Sequence, residues 1–370
     1  MNMTIERGKI GARSSQSARG LRLGLLGLAC LAAVSVSASA QTFIEFNAPG
    51  ASTAPTQGTF PLSINTDGVI AGHFSGHGFV GTAGGTIISF DVSGADSINS
   101  AGVITGGWVD ANSVHHGFVR SANGKITSFD APNAGKNTGQ GTLPQSINTA
   151  GVIAGYCHCK GLHGFVRSAS GTITNFEAPA ASGTFAFSIN TEGAIAGYYY
   201  DASRVYHGFV RSADGTITSF DAPGAGTTED TVVAQGTFAL SINDDGAIVG
   251  YYVDASDGYH GFVRSADGTI TTLNAPGAGT GTSPSYGYSL GTKALSINDD
   301  GVIAGYYSDA NEVYHGFMVS ASGTITTFNA PGAGTTAATG TYAVSINDNG
   351  VIVGYYSDPN DVYHGFQLTP

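Results

Sequence analysis

Residues 237–276 read TFALSINDDGAIVGYYVDASDGYHGFVRSADGTITTLNAP. From Thr237 to Asn243, large residues (Phe238, Leu240, Ile242) alternate with small ones (Ala239, Ser241), which is the period of a β-strand. Asp244-Asp245-Gly246 has the chemistry of a tight hairpin turn, because glycine supplies the positive φ such turns require. Ala247 to Tyr252 then reads as a second strand, and after a polar loop His260 to Ser265 reads as a third. Past Asp267-Gly268, Thr269 to Asn274 makes a fourth, which Pro276 ends. Four short antiparallel strands in about 45 residues is the size of a propeller blade. The large/small alternation suits blades that stack, the bulky face of one meeting the small-residue face of the next.

The unit recurs. Ser-Ile-Asn begins at Ser63, Ser97, Ser146, Ser188, Ser241, Ser296 and Ser345, and His-Gly-Phe at His77, His116, His163, His207, His260, His315 and His364. A repeat of this kind, spaced mostly 40–55 residues apart, signals a solenoid or a propeller, and the two ends of the chain decide between them. The last unit stops at Gln367 to Pro370, inside its third strand. The segment Thr42-Phe43-Ile44-Glu45-Phe46-Asn47-Ala48-Pro49-Gly50 matches the fourth strand of other units, such as Thr324 to Gly332. A strand at the start that supplies the piece missing at the end closes a ring and removes exposed sheet edges. The expected architecture is an all-β, seven-bladed β-propeller over residues 41–370, its last blade completed by the N-terminal strand.

The succession Ser-Ile-Asn, Asp-Asp-Gly, Ile-x-Gly-Tyr, His-Gly-Phe-Val resembles the extracellular HAF-type repeat family, with Gly in place of that family's Ala in all seven triplets. The resemblance covers residues 41–370. It implies secretion and a repeat fold, and no particular activity.

Ahead of the repeats lies an address. Arg7, Lys9, Arg13, Arg19 and Arg22 precede the apolar stretch Leu23 to Val36, and Ala38-Ser39-Ala40 offers a signal-peptidase site. Residues 1–40 therefore read as a signal peptide, which predicts a secreted or periplasmic protein with no membrane span after cleavage near Ala40. Net charge is −12 overall. The leader carries five Lys or Arg and one Glu, so the mature chain is at −16, with nine scattered basic residues. Nucleic acid and anionic lipid need clustered Lys and Arg, so this is a poor footprint for either, and nucleic acid is excluded as a partner. Charged residues are 11% and glycine 56 of 370, against roughly 25% and 7% in ordinary domains, because the chain turns often.

Loop lengths separate the two faces of the ring. The stretch from the Asn of Ser-Ile-Asn to its turn Gly is the same in every unit, as from Asn65 to Gly68 and from Asn347 to Gly350. Phe90 is close to Ser97, whereas Leu273 is far from Ser296, so the blade-to-blade connections vary. Loops that vary around a rigid frame are where binding usually sits. That variable side also collects the Tyr pairs that end the second strands and Tyr206, Tyr259, Tyr314 and Tyr363, which begin the third. Tyrosine couples an apolar ring to a hydroxyl and suits sugar faces; it also packs well between strands. The expected ligand contacts are Trp108, Tyr156, Tyr199, Tyr252, Tyr307 and Tyr356.

A histidine filled alike in seven units reads as a fold element, expected to bond neighbouring backbone. Asp110, Asp201, Asp254, Asp309 and Asp358 read as turn initiators. Departures from the repeat are where catalysis would lie. They are Cys157-His158-Cys159-Lys160, open to reading as a disulfide, a metal ligand pair or plain substitution; Trp108, His115 and His73; and the acidic pair Glu229-Asp230. No serine-elbow, His-Glu-x-x-His or phosphate-loop pattern occurs, and neither a metal nor a cofactor is expected. The sequence favours a secreted binding module for an extracellular or cell-surface glycan or protein. An extracellular polysaccharide lyase or glycoside hydrolase, and a structural envelope or matrix protein, are the alternatives.

Overall fold

The computed structural model describes residues 41–228, 234–285 and 287–370; the leader, its cleavage site and the Glu229-Asp230 pair lie outside the described residues. Among the described residues, twenty-eight strands form seven four-stranded antiparallel blades. Blade 5 is representative, with strands Gly236–Ile242, Ile248–Val253, Tyr259–Arg264 and Ile270–Leu273. Blade 7 takes three strands from the C-terminal end, and its fourth is Thr42–Phe46, antiparallel to Tyr363–Thr369 with Phe46 opposite Gly365. The ring is closed as the two ends of the sequence require. Among the described residues no helix is long and apolar enough to cross a membrane.

Each blade is built on the triplet. Its Phe (Phe79, Phe118, Phe165, Phe209, Phe262, Phe317, Phe366) is 0–1% exposed and packs with the Ile that opens the second strand. In six blades its Gly lies under the aromatic ring of the fourth strand, and in blade 5 Leu273 takes the place of that ring. A Cβ on Gly208 would stand 2.7 Å from the Phe220 ring, and one on Gly316 2.4 Å from Phe328. The triplet Gly therefore makes room for a ring that a side chain would displace.

Blades join through a second glycine. At six of the seven junctions the Gly that begins an inner strand pairs in parallel with the residue before the triplet His: Gly141 with His115, Gly183 with Leu162, Gly236 with Tyr206, Gly291 with Tyr259, Gly340 with Tyr314 and Gly58 with Tyr363. Gly236 holds φ at 121°, and a Cβ there would fall 2.0 Å from the Tyr206 carbonyl oxygen, so no side chain fits. The following Thr237 is fully buried, and its Oγ1 accepts from the Ala222 N–H at 2.9 Å. Blade 2 departs from this pattern. Its inner strand is only Ser97–Ile98, and it lacks the Gly-Thr pair.

Around the axis, the Asn of each Ser-Ile-Asn donates from Nδ2 to the backbone carbonyl of the next Asn. The bonds run Asn65 to Asn99, then Asn148, Asn190, Asn243, Asn298, Asn347 and back to Asn65, at 2.9–3.1 Å. Each Oδ1 also accepts the N–H four residues on, closing its own hairpin, as Ala247 donates to Asn243 at 2.8 Å. The Asn side chains are 3–6% exposed. This seven-membered ring frames a shallow axial cavity of 280 Å3 on the constant-turn side.

Candidate ligand-binding face

At the opposite end of the inner strands the chain presents aromatic rings. Strand geometry sends successive side chains to opposite faces, so each Tyr pair divides. The second members, Tyr199, Tyr252, Tyr307 and Tyr356, are 3–7% exposed. Each stacks on its own triplet histidine, at 5.0 Å to His207, 4.9 Å to His260, 4.9 Å to His315 and 5.1 Å to His364. These four expected contact residues are thus spent on packing inside the blades. Trp108 is their counterpart in blade 2. It lies 4.6 Å from His116, donates from Nε1 to Ser128 at 3.2 Å, and is partly exposed.

The triplet histidines bond side chains rather than the backbone expected for them. In blade 2, His116 Nδ1 is 2.8 Å from Asp130 and its Nε2 3.7 Å from Asp110. Blades 4 to 7 repeat the plan: His207 between Asp201 and Asp221, His260 between Asp254 and Asn274, His315 between Asp309 and Asn329, and His364 between Asp358 and Glu45. The loop Asp does initiate a turn, its Oδ1 accepting the N–H groups two and four residues on, as Asn112 and Val114 donate to Asp110. The Val114 amide chiefly holds that carboxyl below the usual carboxylate range. In these five blades the imidazole therefore lies between a loop carboxylate and the end of the fourth strand while resting on an aromatic ring. Blade 1 keeps only Asp91 and blade 3 only Glu177. In blade 3 the Tyr position is Cys157, joined to Cys159 in a buried disulfide. Among the described residues no group of three or more His, Cys, Asp or Glu side chains is gathered for a metal.

The first members of the pairs face the next blade. Tyr198 contacts Phe185 and Phe238 at 5.0 Å each and Tyr206 at 5.8 Å. Tyr251 lies 4.9 Å from Phe238, Tyr306 5.1 Å from Tyr342, and Tyr355 4.9 Å from Tyr342 and 5.2 Å from Phe60. The third-strand Tyr206, Tyr259, Tyr314 and Tyr363 join the same contacts. The result is a belt of rings passing from blade to blade around the axis, from Tyr156 in blade 3 to Phe60 and His73 in blade 1. Most of these residues are half-buried. Of the six residues expected from sequence, only Tyr156 belongs to it.

The belt has two irregularities. In blade 6 the inner-strand position is Lys293, whose ammonium lies 3.8 Å from the Tyr259 ring centre and 4.8 Å from that of Tyr251. In blade 2 both belt positions are glycine, Gly94 and Gly107, and a cleft of 300 Å3 opens, lined by His73, Asp96, His115, Gln145 and neighbours. Asp96 Oδ2 accepts the Gly107 N–H at 3.2 Å. Burial pushes the Asp96 carboxyl up to about 7, against the opposing pull of that amide. Burial also pushes the His73 imidazole down. Asp96 went unremarked in the sequence; its signal is that the same place holds Leu62, Phe187, Leu240, Leu295 or Val344 in five other units and Gln145 in the sixth.

No protein-family model matches the chain, and no curated protein is similar to it in sequence. Solved structures are similar in fold. Puromycin hydrolase (the S511A mutant complexed with PGG) aligns at a TM-score of 0.52 and 13% identity over 83% of this chain, which spans only 51% of that protein. The β-propeller domain of the Trilobed protease from Pyrococcus furiosus aligns at 0.50 and 10% identity, over 84% of this chain and 95% of that domain. That domain is described as having an open velcro topology; here the N-terminal strand closes the ring. A fungal lectin with a six-bladed propeller fold and a fucose recognition mode aligns at 0.37 and 10% identity, over 78% of this chain and 94% of that one. The fold is a β-propeller, and these likenesses extend no further.

Proposed function

We propose that the chain is an exported glycan-binding module whose contacts are made by the aromatic belt at the variable end. The observation that carries this reading is the run of half-buried tyrosines through four consecutive blades, two belt tyrosines from each of blades 4 to 7. A tyrosine couples an apolar ring to a phenol hydroxyl, the combination that suits the C–H face of a sugar and its hydroxyls. Tyr156 extends the surface to blade 3. Export rests on the leader of residues 1–40, which has the basic, apolar and small-residue segments of a signal peptide.

A second reading, polysaccharide cleavage, is favoured by one feature. Asp96 is a carboxyl protonated near neutrality, beside imidazoles, in the one blade where the belt opens. General acid catalysis needs such a group near the operating pH.

Residues 41–370 on a glycan array, followed by calorimetry and a polysaccharide degradation assay, test both readings. Stoichiometric binding without turnover supports the module. Turnover lost in Asp96→Asn would replace it with the enzyme, and no glycan bound at all would remove the proposal.

A further inference from the structure

Lys293 stands where the other blades carry Phe60, Gly94, Leu143, Phe185, Phe238 and Tyr342. It projects into a cavity of 130 Å3 between blades 5 and 6, lined by Tyr259, Tyr288, Ser289, Tyr306, Ser308 and Tyr314. The lining carries phenol and serine hydroxyls and no acid. Two ring faces attract the ammonium, at 3.8 and 4.8 Å, and among the described residues no carboxylate pairs with it. A chain with a net charge of −12 has ample acid to neutralise a buried amine, and its sequence places none here.

A cation enclosed by rings and hydroxyl donors, with no counter-ion of its own, is a site for an oxyanion. The size of the cavity narrows the choice, because 130 Å3 admits a carboxylate and a water or two but not a whole sugar ring. We propose that this cavity receives the carboxylate of a uronic acid, with Lys293 as its counter-ion, while the sugar ring rests on the belt. The uronate identity rests on the glycan reading; the carboxylate site does not. Burial pulls the Lys293 ammonium down to about 8, in keeping with a charge left uncompensated, and a bound anion would raise it again.

Calorimetry at pH 7 with galacturonate, galactose and acetate, on residues 41–370 and on Lys293→Met, is the test. The expected result is galacturonate bound at least 10-fold tighter than galactose, with the difference abolished in Lys293→Met and reduced at pH 9.5. Methionine keeps the length and apolar stem of lysine, and an unchanged melting curve excludes misfolding. Acetate bound through Lys293 while neither sugar binds would uphold the carboxylate site and overturn its uronate assignment together with the glycan reading. Equal affinity for the two sugars, a galacturonate preference that survives in Lys293→Met, or no binding of any probe overturns the proposal.

Discussion

The seven inner strands end in two ways, and the contrast separates scaffold from function. At one end every copy carries Asn, and seven identical bonds close on themselves. At the other end the equivalent positions are Phe60, Gly94, Leu143, Phe185, Phe238, Lys293 and Tyr342. The physical reason lies in the tolerance of the two kinds of contact. A missing amide in the Asn ring leaves a buried carbonyl unpaired, which costs about 1–3 kcal/mol. Packing between rings accepts any side chain of suitable bulk. Variation is therefore confined to the end where it is cheap, and there it can serve recognition.

Removing closure altogether should have the largest effect. Phe43 packs 6.0 Å from Phe328 and 5.8 Å from Phe366, and Phe46 lies 6.3 Å from Phe79. A chain lacking residues 42–46 should lose on the order of 5 kcal/mol or more, from the buried Phe46, the partly buried Phe43 and a strand's hydrogen bonds. It should also aggregate through the bared edge of the last strand. Urea denaturation and light scattering read both outcomes; a midpoint equal to that of residues 41–370 would show that the ring does not depend on this strand.

A single break in the Asn ring should cost less. Asn243→Ala removes the donor to the Asn298 carbonyl and the acceptor for the Ala247 N–H. It should destabilise by about 2–3 kcal/mol and leave glycan affinity untouched, since the belt lies at the far end of the strand. A change in affinity larger than the change in stability would mean that the two ends are coupled.

Asp96→Asn sharpens the contrast from the belt side. The folded carboxyl titrates at about 7, raised from 3.8. Between those values the folded chain keeps a proton that the unfolded chain has released, so stability falls as pH rises from about 4 to about 7. The Asn variant lacks this slope. It should match the parent at pH 4 and exceed it at pH 8 by about 1–3 kcal/mol, less than the full shift implies because solvent reaches the partly exposed carboxyl. Parallel stability profiles for the two proteins would show that Asp96 is ionised throughout.

Much of this was legible in the sequence because it is local or exactly repeated. Strand alternation, turn glycines and the orphan strand at Thr42 give seven blades and their closure. The Asn ring was not legible, since each donor meets an acceptor 34 to 55 residues away, or 282 at the closing bond. The bridging glycines carried a signal, Gly-Thr in six units, whose close approach to a neighbouring carbonyl only the packed blades reveal. The division of the Tyr pairs was hidden for another reason. A period of two says that Tyr198 and Tyr199 face opposite ways but not which of them meets the histidine. His207 opposite Tyr199 decides it.

Tyr198 and Tyr199 are neighbours in sequence, one in the belt and one beneath His207. The measurement is glycan affinity by calorimetry for Tyr198→Ala and Tyr199→Ala, with stability followed by urea denaturation. Tyr199→Ala should cost about 3 kcal/mol of stability, as for a buried aromatic, yet bind within twofold of the parent at temperatures where it is folded. Tyr198→Ala should weaken binding at least 10-fold, at a smaller cost in stability. Binding lost with Tyr199 and kept without Tyr198 would contradict the assignment of recognition to the belt.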